Sequence, residues 1–231
     1  MAFIKTTPPA EADGSVLAMY ERQQASLGYV PDYAKAFSGR PEVLARWGRL
    51  LAEIRRPMSD RRFELVTFAA AVALRNTACA LAHGKCLTGF FGPDTIRGLC
   101  EGRFDESLGE IDRAIFRFAQ DLARDASRIT AGDVARLNRL GLGDDEVFDI
   151  VATVAGRAFF TKLLDGLGVE ADPVYQELDE SLRRALTVGH PIGFREVERL
   201  STDTRRKPGE PPGARKTGKP GGPKAGRQAG R

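Results

Sequence analysis

Three residues in one short stretch could carry out thiol and acid–base chemistry: Glu64, Cys79 and His83. Asn76 and Thr77 are both favourable N-cap residues, so a helix is predicted to begin there with Cys79 in its first turn. Unpaired N–H groups and the positive end of the helix dipole favour a thiolate, which is the nucleophilic form of cysteine. His83 follows four residues later on the same helical face, close enough to exchange a proton with Cys79 directly or through one water. The pattern therefore predicts an activated thiol with a base beside it.

Glu64 begins a run of small and apolar residues, 65–74, that is typical of a buried helix. The run is too short to span a membrane, which takes about 20 residues. If this helix and the Cys79 helix form a hairpin, Glu64 lies deeper in it than His83. That order predicts a relay from Cys79 through His83 or water to Glu64, without direct contact between Glu64 and the thiol. The alternative is that Glu64, which follows two arginines, is a solvated first-turn carboxylate favoured by the helix dipole.

The other cysteines are predicted to be structural. Cys86 lies about 10.5 Å of helical rise beyond Cys79, whereas a disulfide needs Cα atoms within about 7 Å, so an intact helix excludes that bridge. Cys100 could act as a resolving thiol only if the fold brings it close. A straight helix cannot wrap Cys79, His83 and Cys86 around one zinc ion, and no phosphate-binding loop is present, so we expect neither a metal nor another cofactor. The sequence has three cysteines, and its first residues do not resemble a signal peptide. Both observations favour free thiols in the cytoplasm.

The stretch from Glu64 to His83 resembles the motif of the carboxymuconolactone decarboxylase and alkylhydroperoxidase D-like family. That motif is Glu, then Cys-x-x-Cys, then x-x-x-His. Glu64, Cys79 and His83 stand at the matching spacings, whereas Asn76 replaces the first cysteine, so a disulfide within the motif is out of reach. Softer similarity extends over roughly residues 15–170. The resemblance implies an all-α alkylhydroperoxidase D-like bundle that assembles as a homo-oligomer.

The function that the resemblance implies is a thiol-dependent peroxidase. Cys79 would attack a hydroperoxide and become a sulfenic acid, with His83 and Glu64 as the proton relay. Because Asn76 replaces the partner thiol, an external thiol or another cysteine would have to reduce the sulfenic acid. The alternative from the same family is a lyase or isomerase that acts on a small carboxylate or lactone through Glu64 and His83. A third possibility is a non-enzymatic oligomeric scaffold whose tail binds polyanions.

Apolar periodicity predicts about eight helices and no strands, and hence an all-α domain. Gly28 is expected to end the first long helix, Pro41 to open a helix through Ile54, and Ser59 to cap the helix that contains Glu64. The remaining predicted helices are a short one within 29–37, then 96–100, 109–125, 130–140, 144–164 and an amphipathic stretch in 173–186.

The charge of the chain is divided unevenly. Residues 205–231 hold nine basic residues and one acidic residue, a net charge of +8, whereas the whole chain carries +4, so residues 1–204 sum to −4. We therefore predict a lead-in over residues 1–13, a helical domain over 14–200, and a disordered tail rich in Gly, Pro, Lys and Arg over 201–231. The tail lacks aromatic residues, so any polyanion binding would be weak and electrostatic, and no membrane contact is expected.

Overall fold

Ten α-helices form within residues 2–103 and 108–200, which are the residues that the computed structural model describes. They are, in chain order, α1 (Gly14–Leu27), α2 (Asp32–Ala36), α3 (Pro41–Arg55), α4 (Asp60–Ala73), α5 (Thr77–Phe91), α6 (Pro93–Cys100), α7 (Glu110–Arg124), α8 (Ala131–Arg139), α9 (Asp144–Gly166) and α10 (Glu180–Leu186). In this part of the chain β-pairing is limited to two isolated bridges, Val30 with Glu198 and Ala171 with Ile192. The all-α prediction is confirmed. The described part of the chain has ten α-helices where about eight were predicted, and the short helix predicted within 29–37 is present as α2.

Local signals set most of the helix boundaries. Gly28 ends α1 in the left-handed conformation, at φ 82°, which glycine adopts without a steric penalty. Pro41 is the first residue of α3, and the Ser59 hydroxyl accepts a hydrogen bond from the Arg62 N–H at the start of α4. These three predictions are confirmed. The predicted helix in 173–186 is wrong in one respect: it divides into a 3₁₀ helix, Pro173–Glu177, and α10.

The centre of the fold is α4, which packs against α5, α7 and α9. Every residue from Phe63 to Ala71 in this helix is buried. A helix that is apolar on all sides has to be enclosed by its neighbours, which is the position that α4 occupies. No helix in the described ranges is long and apolar enough to cross a membrane.

The elements around α5 hold the site in place. α4 and α5 form the predicted hairpin, while α6 and α10 pack against α5, and α9 crosses α4. Gly84 of α5 faces Leu186 of α10 so closely that an added Cβ would lie 2.5 Å from the leucine side chain. The predicted tail, residues 201–231, lies outside the described residues.

Candidate functional site

Glu64 and His83 form a buried pair between α4 and α5. The Nδ1 atom of His83 lies 2.6 Å from Oε2 of Glu64, and their side chains are only 15% and 12% exposed. The helical hairpin brings them together, because Glu64 lies in the first half of α4 and His83 in the first half of α5. Glu64 is therefore buried against His83, and the alternative of a solvated carboxylate does not agree with the structure.

The pair is held with an ionised carboxylate and a neutral imidazole. Burial raises the pKa of Glu64, but the hydrogen bond with His83 and the charge of Arg157 outweigh it and bring the pKa below its ordinary value. Burial and Arg157 lower the pKa of His83, and the contact with Glu64 offsets this only in part. A carboxylate can only accept, so Nδ1 donates the hydrogen bond and Nε2 keeps its lone pair. His83 is thus a base whose orientation is fixed by Glu64.

Asn76 is the N-cap of α5, as predicted. Its Oδ1 accepts a hydrogen bond from the Cys79 N–H at 2.9 Å, and its Nδ2 donates to Asp165 at 2.9 Å. The residue that replaces the first motif cysteine therefore ties the start of α5 to the last turn of α9. Cys79 is the third residue of α5, in the predicted first turn.

The prediction of a thiol with a low pKa is wrong for Cys79 in this state. The side chain is 5% exposed, and burial raises the pKa of the thiol to about 11, although Arg157 acts in the opposite direction. The amide of Cys79 is already bound by Asn76, and the carboxylate of Asp165 raises the thiol pKa further. Among the described residues, no hydrogen bond joins the thiol to His83. Burial therefore favours the protonated form of this thiol in the structure.

Arg157 is the functional candidate that the sequence reasoning missed. It lies on α9, is 9% exposed, and its Nε has no hydrogen-bond partner. Its positive charge lowers the pKa of Cys79, of Glu64 and of His83. A signal was present in the sequence: Arg157 falls on the stripe that α9 buries, in step with Ile150 and Leu164.

Aromatic rings surround this cation. The guanidinium carbon of Arg157 lies 5.5 Å from the ring centre of Trp47 and 5.4 Å from that of Phe63. Phe160 stacks on Trp47 at 4.3 Å, and Tyr33 meets Phe160 edge-on at 5.4 Å. The guanidinium of Arg157 is therefore a buried positive charge in an apolar, aromatic environment.

The remaining cysteines make no hydrogen bond to the Glu64–His83 pair among the described residues, although burial and the charge of Glu64 raise the pKa of Cys86. All three cysteines, which lie in the described ranges, are free. Cys86 is exposed, and Cys100 is half-buried on α6, where burial and Glu101 raise the pKa of its thiol to about 12. No contact supports a resolving role for either.

A groove of about 370 Å³ on another face, between α7 and α8, is lined by arginines and aspartates. The lining aspartates have local partners. Asp121 pairs with Arg124, Asp125 caps the turn at Ser127, and Asp133 caps α8 through Thr130. This groove has charges of both signs and contains none of the residues that the motif singled out.

No protein-family model matches the sequence, and a comparison with curated proteins gives no match. Similarity is found among solved structures. One is a peroxidase-related protein from Ralstonia eutropha JMP134, described as an alkylhydroperoxidase AhpD core, with a TM-score of 0.63 and 16% identity over 82% of this chain and 98% of that one. A second is a peroxidase-related protein from Silicibacter sp. TM1040, with a TM-score of 0.61 and 18% identity over 75% and 97% of the two chains.

The debrominase Bmp8 is also similar. A cysteine-to-alanine variant of it, in complex with 2,3,4-tribromopyrrole, gives a TM-score of 0.60 and 14% identity over 80% of this chain and 98% of that one. Identities of this size establish the fold. The chain therefore has the alkylhydroperoxidase D-like helical fold, and the predicted resemblance to that family is confirmed at the level of the fold.

Proposed function

We propose that the protein is a thiol-dependent peroxidase in which Cys79 reduces a hydroperoxide and the Glu64–His83 pair moves the proton. The observation that carries the proposal is the buried contact of 2.6 Å between His83 and Glu64, one helical turn from Cys79. The neutral imidazole with a free Nε2 is the form that can accept a proton from a thiol.

The first half-reaction forms one bond and breaks one. His83 takes the thiol proton through a water or a rotamer change, and the Cys79 sulfur then attacks the terminal oxygen of the hydroperoxide. An S–O bond forms, the O–O bond breaks, and the thiol becomes a sulfenic acid. The departing alkoxide takes the proton from His83 and leaves as an alcohol. Glu64 stabilises the imidazolium that exists between these two transfers.

The second half-reaction restores the thiol. One external thiol displaces water from the sulfenic acid to give a mixed disulfide. A second external thiol then reduces this disulfide and leaves as the oxidised pair. Asn76 occupies the position from which a partner cysteine would do this, so the reductant has to come from outside the motif.

The test is steady-state consumption of cumene hydroperoxide with a small dithiol as reductant. The wild type should turn over, Cys79→Ser should be inactive, and His83→Asn should lose about 100-fold or more, since general base catalysis contributes on the order of 10²–10⁴. Cys86→Ser is the matched control and should retain the wild-type rate. Full activity in Cys79→Ser would overturn the proposal.

A second candidate is a lyase or isomerase that acts on a small carboxylate or lactone. Two observations favour it. The contact between Glu64 and His83 does not involve the thiol of Cys79. Burial also favours the protonated thiol, because it raises the pKa of Cys79 to about 11. In that case Cys79→Ser would convert a lactone carboxylate at the wild-type rate, whereas Glu64→Gln and His83→Asn would not.

We also propose an assembly, a location and partners for the protein. We expect a homo-oligomer in the cytoplasm that takes a hydroperoxide or another small substrate and an external thiol. The basic residues 201–231 would bind polyanions weakly. Sedimentation of the full-length protein tests the homo-oligomer. Its salt-dependent retention on heparin tests the binding of polyanions.

A further inference from the structure

Arg157 is a buried cation that makes no direct ion pair in the described part of the chain. Within residues 2–103 and 108–200, no carboxylate lies at ion-pair distance from its guanidinium, and its Nε has no hydrogen-bond partner. The nearby Arg55 differs, since it is exposed and pairs with Asp60 at 2.7 Å. Removing a charge from water without pairing it is costly, so such a group is expected to have a partner in the working state.

Aromatic rings supply only part of that compensation. Trp47 and Phe63 lie within the distance at which a ring attracts a cation. The Nε–H bond points outward within the plane of the guanidinium, however. A ring that lies over this plane therefore cannot accept its hydrogen bond. The Nε edge is the part of an arginine that binds a carboxylate with two parallel hydrogen bonds.

The position of Arg157 defines what such an anion would meet. Its guanidinium carbon lies 5.4 Å from the ring centre of Phe63, the residue that precedes Glu64 in α4, so an anion bound to it would lie on the side of the site where Glu64 begins. The charge of Arg157 also interacts with Cys79 and Glu64. Glu64 and His83 are each slightly exposed on their side chains, so solvent reaches this part of the site. The rings of Trp47 and Phe63 favour an apolar body behind the anionic group.

We propose that Arg157 binds the carboxylate of the substrate, so that the site takes a small apolar carboxylate. This deepens the proposed function: under the peroxidase mechanism the substrate is a hydroperoxide that bears a carboxylate. Under the lyase alternative it is the carboxylate itself. The Nε edge of Arg157 then gains its missing partner, and the reacting end of the ligand points toward Cys79 and His83.

The test measures the binding of a ligand in two ways, by the shift in melting temperature and by calorimetry. Benzoate is the probe, and benzamide is its neutral control. Benzoate should raise the melting temperature of the wild type, and benzamide should not. Arg157→Met should weaken benzoate binding at least tenfold, whereas Arg157→Lys should restore part of it. Arg55→Gln is the matched control, since Arg55 also lies over Phe63 but already has a partner.

Arg157→Met should remain folded, because it removes an unpaired buried charge and fills a similar volume. The inference is overturned if benzoate does not bind the wild type at millimolar concentration. It is also overturned if Arg157→Met binds benzoate as well as the wild type, or if Arg55→Gln loses as much affinity as Arg157→Met.

Cys79→Ser separates this inference from the proposed function. It should bind benzoate like the wild type while it fails to consume peroxide. A wild type that binds benzoate through Arg157 but does not reduce hydroperoxides would overturn the peroxidase alone. A wild type that reduces cumene hydroperoxide but does not bind benzoate would overturn the anion site alone.

Discussion

Replacing Glu64 by Gln should weaken the base without removing it. The amide has the shape of the carboxylate, so its oxygen can still accept the Nδ1–H of His83 at the position that Glu64 now occupies. What is lost is the negative charge. That charge matters most when His83 holds the proton from the thiol of Cys79 and is itself positive.

The expected effect follows from the kind of hydrogen bond. A bond to a charged group contributes roughly 1.5–3 kcal/mol, whereas a neutral one contributes about 0.5–1.5 kcal/mol. The difference of about 1–1.5 kcal/mol corresponds to a rate loss of about 5- to 12-fold if it appears fully in the transition state. Glu64→Gln should therefore lower the rate of peroxide reduction about tenfold. Its remaining rate should be well above that of His83→Asn.

The assay is stopped-flow oxidation of the reduced protein by an excess of cumene hydroperoxide near neutral pH. Glu146→Gln is the matched control, because it removes the charge of a carboxylate that is paired elsewhere, with Arg62 of α4, and should leave the rate unchanged. An unchanged rate in Glu64→Gln would remove the carboxylate from the mechanism. A loss above about 1,000-fold would show that Glu64 itself transfers the proton, and the relay order would be wrong.

Three further predictions concern the thiol and its support. Alkylation of Cys79 by iodoacetamide should rise about tenfold per pH unit from pH 7 to 10, because below a raised pKa of about 11 the thiolate fraction rises in that proportion. Asn76→Ala should lower the free energy of unfolding by about 1–2 kcal/mol through loss of the cap, and Asn76→Cys should form a disulfide with Cys79 under oxidant. Gly189→Ala should lower the melting temperature, since its Cβ would clash with the backbone oxygen of Arg75 in the α4–α5 turn, whereas Gly48→Ala, which meets no atom within 4 Å, should not.

Each of these has a contrary outcome. A plateau of the alkylation rate near pH 7 would restore the low-pKa thiol that the sequence suggested. Equal stability of Asn76→Ala and wild type would mean that the cap contributes nothing. Absence of the new disulfide would show that the backbone at the start of α5 differs from that of the family motif. A Gly189→Ala variant as stable as Gly48→Ala would mean that the segment after α10 moves aside freely.

The local features of the site could be predicted because they depend on neighbours in the sequence. Asn76 caps α5 through a bond to the Cys79 amide, three residues away, and Ser59 caps α4 in the same manner. The meeting of Glu64 and His83 followed from a single further assumption, that α4 and α5 form a hairpin. That assumption was correct because Arg75, at φ 58°, turns the chain sharply between them.

Electrostatics at the thiol could not be predicted in this way. The helix-terminus rule treats Cys79 as exposed to solvent, whereas the fold buries it and brings Asp165 from α9 to the same cap. Arg157 reaches the site from α9 as well, and no local pattern relates it to Cys79. Long-range packing thus decides the pKa of the thiol, and long-range packing is what short motifs do not encode.

The most direct test of the central claim is to locate the oxidised sulfur. The reduced protein is treated with one equivalent of cumene hydroperoxide in the presence of a sulfenic-acid trap, and the adduct is mapped by mass spectrometry. A thiol peroxidase predicts one adduct, on Cys79, that forms more slowly in His83→Asn, although Cys86 is more exposed. An adduct on Cys86 with Cys79 unmodified would contradict the account.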